Sequence, residues 1–137
     1  VDINNRIESD FLGEAEIPSD AYYGVQSVRA RENFRITGRT LNEFPHFIRA
    51  LAHVKKSAAI ANNMLGALDD DRRDVIEKAC DDVIAGKYND QFIVDMMQGG
   101  AGTSTNMNAN EVIANLALEY AGREKGDYDY IHPNNHI

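Results

Sequence analysis

Apolar and polar positions alternate only near the start of the chain, and further on they recur at helical spacing. The opening segment "RIESDFLGEAEIPSDAYYG" mixes short alternating stretches with Gly13 and Pro18 and reads as extended strands or a hairpin. From Pro45 the period changes. Phe47, Leu51, Val54, Ala58, Ala61, Leu65 and Leu68 recur at spacings of four and three, which predicts a core-facing stripe on a long helix. Pro45 suits the first turn of that helix and Gly66 its end. A second helix is predicted in "LDDDRRDVIEKACDDVIAGK", where Asp69, Asp70 and Asp71 sit at the positive end of the helix dipole. Its apolar face is Val75, Ile76, Ala79, Cys80, Val83 and Ile84, and Gly86 stops it. A third helix carries "NEVIANLALEYAG", with Ile113, Leu116, Ala117 and Tyr120 along one face and Gly122 after its last turn. The expectation is a mainly α domain of three helices with a short extended or hairpin segment at its start.

Composition narrows what such a domain does. Its 137 residues fit one ordinary domain, and 43% hydrophobic with 26% charged residues is globular usage. The formal charge of −8 argues against nucleic acid or an anionic membrane as a partner. A small anion binding here needs local donors working against the overall field. The single cysteine, Cys80, excludes an intrachain disulfide and points to a reducing compartment. With no apolar run of ~20 residues and no signal-peptide pattern, a cytoplasmic location is expected. Cys80 lies on the apolar helix face with no basic or hydroxyl-rich motif around it, so it reads as packing and not as a nucleophile.

The densest chemistry lies in "QGGAGTSTNMNANE", Gln98 to Glu111. Asn106, Asn108 and Asn110 are poor helix-interior residues because their side chains compete for backbone hydrogen bonds. Two helix starts are open: a cap at Ser104 or Thr105, or a cap at Asn108 with Glu111 three residues on. In both, Gly99–Gly102 deliver backbone N–H groups and hydroxyls to a helix N-terminus, a natural carboxylate or phosphate site. No Lys follows the glycines as in a Walker loop, and the spacing is not the dinucleotide fingerprint. A ligand site and a self-capped turn both fit, but one hydroxyl suffices for a cap and here three compete. His132 and His136 stand four apart, yet Pro133 and turn formers separate them and no Glu accompanies them, so a zinc site is not expected. "HPNN" reads either as a polar turn or as an anion-contacting loop. Arg29, in "SVRARENF", is either solvated and paired or a bidentate clamp for a substrate carboxylate.

These motifs make the chain similar to the aspartase/fumarase superfamily, and within it to the aspartases. "RIESDFLGEAEIPSDAYYGVQSVRARENF" resembles the aspartase opening with its "AYYG" and "R-A-x-E-N-F". "DQFIVDMMQGGAGTSTNMNANEVIANLALE" resembles the first substrate-loop region, and "KGDYDYIHPNNHI" the segment leading to the next one. Fumarases instead read "G-S-G-T-x-S-N-M-N" at the loop and carry a tryptophan-glycine pair near "AYYG", whereas this chain has Gly100-Ala101-Gly102-Thr103 and no tryptophan.

The resemblance covers essentially the whole chain, and what it implies is concrete. Residues 1–137 would be the N-terminal helical domain, domain 1, of a longer lyase whose central bundle and C-terminal domain are not in this sequence. The implied activity is reversible elimination of ammonia from L-aspartate to give fumarate. The implied assembly is a homotetramer whose active sites gather residues from three subunits. Thr103, Ser104, Asn106 and Arg29 would contact substrate, and His132, Asn134 and Asn135 align with a secondary anion site whose aspartate Asn135 replaces. The general base would sit on a serine loop beyond Ile137, leaving no catalytic residue in this segment and predicting it inactive alone. No cofactor or resident metal is required, and a divalent cation is compatible as an activator. The alternatives are a class II fumarase domain and, from another class, a non-catalytic helical anion-binding or assembly module.

Overall fold

The computed structural model describes residues 4–137, so Val1 to Ile3 of the expected domain span lie outside the described residues. Strands β1 (Asn5–Asp10) and β2 (Gly13–Pro18) pair antiparallel, with Asn5 opposite Pro18 and Asp10 opposite Gly13. Phe11 and Leu12 form the two-residue turn, and the Asp10 carboxylate accepts the Leu12 N–H at 2.8 Å to hold it. Four α-helices follow: α1 (Val25–Asn33), α2 (Pro45–Met64), α3 (Asp70–Ile84) and α4 (Thr103–Tyr120). Short 3₁₀ turns occupy Leu41–Glu43 and Asn89–Gln91. The mainly helical architecture with a leading hairpin agrees with the expectation. Among the described residues no helix is long and apolar enough to cross a membrane.

Helix α3 starts as its sequence predicts. The Asp69 side chain accepts the Arg72 N–H at 2.9 Å, and Asp70 and Asp71 lie in the first turn. Ile76, Ala79, Cys80 and Val83 are buried along its inner face. Cys80 is fully enclosed and burial pushes its thiol up to about 12, as befits a packing residue.

Helix α4 is the axis of the domain. From Asn108 to Leu118 every residue is buried, so it is surrounded on all sides. Tyr120, expected on the inner face, is instead 48% exposed, and its hydroxyl donates to Asp82 of α3. Three polar side chains inside this helix are anchors for loops. Asn108 accepts the Ile93 N–H at 2.9 Å and donates to the Gln91 carbonyl at 3.0 Å. Asn115 donates to the Tyr22 carbonyl and accepts the Gly126 N–H, both at 2.8 Å. The third, Glu111, reaches α1.

Two further expectations need correction. The predicted stripe of α2 mostly faces away from the core: Phe47, Val54 and Leu65 are 40%, 63% and 82% exposed, Leu51 packs against the core while half-buried, and of that set only Leu68, beyond the helix, is buried. The inner face is one position round, at Ile48, Ala52 and Ala59, where small side chains let α3 and α4 approach closely. The second correction is α1 itself, a fourth helix with no capping side chain of its own and only Val25, Ser27, Val28 and Ala30 buried. Its apolar signal is too short to announce a helix, and its N-terminus is stabilised from elsewhere in the chain.

Candidate functional site: a cavity at the mouth of helix α4

A cavity of about 550 Å³ opens where the hairpin, α1, α4 and the C-terminal loop converge. Its walls are Asp10 and Phe11 at the hairpin turn, Gln26 at the start of α1, and His132, Pro133 and Asn134 of the C-terminal loop. Thr103, Met107 and Glu111 supply the fourth wall at i, i+4 and i+8, one face of α4.

The glycine loop delivers α4 to this cavity. Gly102 is the residue before the helix, at φ +82°, a left-handed conformation that side-chain-bearing residues rarely adopt. Neither Ser104 nor Asn108 caps the helix. Gln98 does: its Oε1 accepts the Thr105 N–H at 3.0 Å, while its Nε2 donates to Thr105 Oγ1 at 2.6 Å and to the Asp95 carbonyl at 2.9 Å. The capping-box reading of Glu111 fails for the same reason, since α4 begins eight residues before it. The N–H groups of Thr103 and Ser104 have no acceptor among the described residues. The positive end of an eighteen-residue helix therefore faces outward there with unused donors. The loop is braced from behind by Asp95, whose carboxylate accepts the N–H groups of Thr37, Gly38 and Met97 at 2.8–3.0 Å. Those donors and the Thr37 hydroxyl outweigh burial and hold the Asp95 carboxyl below the usual range.

Two buried carboxylates meet at the start of α1: Glu111, in the cavity wall, and Glu8, outside its lining. Glu111 accepts the N–H groups of Gly24, Gln26 and Ser27 at 2.9, 2.8 and 3.0 Å, and the Ser27 hydroxyl as well. Glu8, on β1, accepts the Val25 N–H at 2.9 Å. Every orphan donor in the first turn of α1 is thus met by a carboxylate from another element. Gly24 is where they meet: a Cβ there would lie 2.5 Å from Glu8 Oε2, 2.6 Å from the Tyr128 hydroxyl and 2.9 Å from Glu111 Cδ. Burial raises the Glu111 carboxyl to about 7, against the pull of its hydrogen bonds. Tyr128, pushed well up by burial, stays a neutral donor and reaches both Glu8 oxygens at 3.1 Å.

Sequence comparison places this arrangement in a family. The model of a family described as lyase matches residues 13–137. The chain belongs to this lyase family. Proteins named aspartate ammonia-lyase are 64% identical in Bacillus sp and 59% identical in Helicobacter pylori, each over 96% of this chain. The counterpart of that name from Escherichia coli K12 is 51% identical over 98% of it. The lyase chain spans about 28% of the length of each of these relatives. Among solved structures, a Brucella melitensis fumarate lyase:delta crystallin superposes with a TM-score of 0.94 at 56% identity, over 96% of this chain and 31% of that one. A class II fumarase from Schistosoma mansoni gives 0.87 at 35% identity, over 96% of this chain and 28% of that one.

Within this lyase chain the expected site residues divide. Thr103, His132 and Asn134 line the one cavity, although the sequence assigned them to two separate sites. Ser104 and Asn106 are half-buried in the first turn of α4, and neither lines the cavity. Asn135 is exposed and points its backbone N–H back to the His132 carbonyl at 3.2 Å. The "HPNN" turn is self-locked: His132 Nδ1 accepts the Asn134 N–H at 3.0 Å, and His136 Nδ1 accepts the His132 N–H at 2.8 Å. Arg29 does not line the cavity. Its guanidinium holds Asp10 bidentately at 2.8 and 2.9 Å and the Gly13 carbonyl at 3.0 Å, so the fork expected to meet a ligand is closed on the hairpin. Asp10 is held low by that pairing. Both cavity carboxylates are therefore internally compensated, Asp10 by Arg29 and Glu111 by the start of α1. Glu8, Gly24 and Tyr128 escaped the sequence reading as site-builders. The only signal was "AYYG", since a glycine immediately before a helix leaves room for groups that arrive from far along the chain.

Proposed function

We propose that this chain is the N-terminal domain, domain 1, of an aspartate ammonia-lyase, which reversibly eliminates ammonia from L-aspartate to give fumarate. The observation that carries this reading is the gradient of similarity. Relatives named aspartate ammonia-lyase share 51–64% identity across nearly the whole chain, against 35% for the class II fumarase.

The cavity supplies donors for one end of the substrate. In the elimination, a base takes a proton from the carbon beside the β-carboxylate. The electron pair first gathers on that carboxylate as an aci-carboxylate and then forms the double bond as the C–N bond breaks. Charge grows on the carboxylate oxygens in the transition state, so donors fixed around them lower the barrier. The Thr103 hydroxyl and the free Thr103 N–H are such donors, in a cavity whose own carboxylates are already compensated, with the free Ser104 N–H next along the same helix mouth. His132 and Asn134 line the same space and serve anion approach. Asn106 and Asn135 lie beside it and bond only through their backbone N–H groups, to the Gly102 and His132 carbonyls. Arg29 contributes by holding Asp10 and the hairpin wall.

The general base lies outside these residues, in another segment of the enzyme, and the segment is inactive alone. The working enzyme is a homotetramer that needs no organic cofactor and accepts a divalent cation as activator. An ultraviolet assay of fumarate formed from L-aspartate by the complete lyase, with malate supplied in parallel, tests the reading. Turnover of aspartate alone is expected, and turnover of malate alone assigns the chain to the fumarases. Activity in the 137-residue chain by itself contradicts the placement of the base.

A further inference from the structure

Among the described residues, a single side chain ties the two ends of the donor-bearing loop together. From Gly99 to Ser104 no backbone N–H finds an acceptor among those residues. Gly99, Gly100 and Gly102 make up most of the approach to α4, so the loop has little stiffness of its own. Gln98 spans it. Its Oε1 accepts the Thr105 N–H at 3.0 Å, and its Nε2 donates to Thr105 Oγ1 at 2.6 Å and to the Asp95 carbonyl at 2.9 Å. The amide has one workable orientation, because a backbone N–H only donates and a carbonyl only accepts. Its anchor is firm: Asp95 is buried, and its carboxylate is fixed by the N–H groups of Thr37, Gly38 and Met97.

This clasp decides which donors are left over. Gly102, the residue before the helix, has no side chain to cap with. Gln98 takes over that duty from outside the helix, at the third N–H. The hydroxyls of Thr103 and Ser104 are therefore not consumed in capping, and Thr103 lines the cavity. A carboxylate at position 98 would also accept the Thr105 N–H, and it would suit the positive end of the helix better than an amide does. It could not donate to the Asp95 carbonyl, and it would oppose an anion arriving at the same helix mouth. Helix stability alone thus does not call for glutamine here.

We propose that Gln98 is a positioning residue: it holds the glycine loop so that the Thr103 N–H and hydroxyl stay at the cavity wall, and its neutrality leaves the helix end positive for a substrate carboxylate. The inference rests on the reading that the Thr103 donors meet that carboxylate. Its test uses the complete lyase, assayed by fumarate formed from L-aspartate or, failing that, from malate, with succinate as an unreactive dicarboxylate competitor. Gln98→Ala frees the loop and is expected to lower kcat about 10–10²-fold, with a smaller change in the succinate inhibition constant. Gln98→Glu keeps the cap but sets a negative charge about one helical turn from Thr103. It should raise KM and the succinate inhibition constant at least about tenfold, by an amount that shrinks as salt is added. Its melting temperature should nonetheless lie above that of Gln98→Ala. A merely structural Gln98 predicts activity that follows the amount of folded enzyme, with KM and the inhibition constant unchanged in both variants, and that result overturns the proposal. Where Gln98→Ala does not assemble, the KM and salt dependence of Gln98→Glu decide alone. Thr103→Ala separates the two levels. Wild-type kinetics in that variant remove the site reading and this inference with it, whereas an impaired Thr103→Ala beside a Gln98→Glu of wild-type KM and inhibition constant removes this inference only.

Discussion

Replacing Glu111 with Gln tests whether a buried carboxyl cap carries the junction of α1 and α4. The carboxyl is 1% exposed, accepts three backbone N–H groups and one hydroxyl, and titrates at about 7 in the folded chain. Its unfolded value is near 4.5, so between those limits the folded state binds more protons than the unfolded one. The stability that Glu111 contributes is therefore complete below about 4.5 and is lost as pH rises through about 7. Over the interval from about pH 5 to about pH 8 the loss amounts to roughly 2–3 kcal/mol. Asp10, Asp69, Asp82 and Asp95, all held low, are ionised in both states across this interval and contribute no slope. His136, lowered by burial, adds a slope of opposite sign, which cancels between wild type and variant. Glutamine does not titrate. Glu111→Gln should thus be destabilised near pH 5, because its NH₂ group faces a backbone N–H, and should lose the downward slope of the wild type toward pH 8. Urea unfolding followed by far-ultraviolet circular dichroism at both pH values measures this. A variant with the wild-type pH slope refutes the assignment of that slope to Glu111, and a variant of unchanged stability near pH 5 refutes its role as the cap.

Three further outcomes follow from the same contacts. Gly24→Ala places a methyl 2.5 Å from Glu8 Oε2 at a backbone conformation alanine tolerates, so its cost is spatial, about 1–3 kcal/mol or more in chemical unfolding. Asn108→Ala leaves the Ile93 N–H and Gln91 carbonyl without a buried partner, and should lower stability by about 2–4 kcal/mol while leaving far-ultraviolet helicity unchanged. Thr103→Ala in the complete lyase should lower kcat for aspartate by about 10²-fold at unchanged melting temperature, since Thr103 is exposed at the helix mouth. Unchanged kinetics would remove it from the site.

Where local chemistry decides structure, the chain was legible. Helix α3 announced itself because Asp69 caps it and its apolar face is single. Helices α2, α3 and α4 end within two residues of Gly66, Gly86 and Gly122, as read from the sequence. The glycine-rich loop before α4 and the membership of Thr103 in a donor-bearing turn were legible for the same reason, since a helix N-terminus needs only its own neighbours. Register on α2 was not. That helix has two apolar faces, one of larger side chains at 4–3 spacing and one of Ile48 with small alanines. Periodicity favours the first, but the core took the second because small residues let α3 and α4 come close. Helix α1 and the cavity belong wholly to the tertiary structure. Glu8 and Glu111 lie 103 positions apart in the sequence and are expensive to bury alone, and only the fold brings both to the donors of one short helix. The sequence by itself determined that the segments of α2, α3 and α4 are helical and where donors collect. The fold decided which face of each helix is inside, and which carboxylates are neutralised so that those donors remain free.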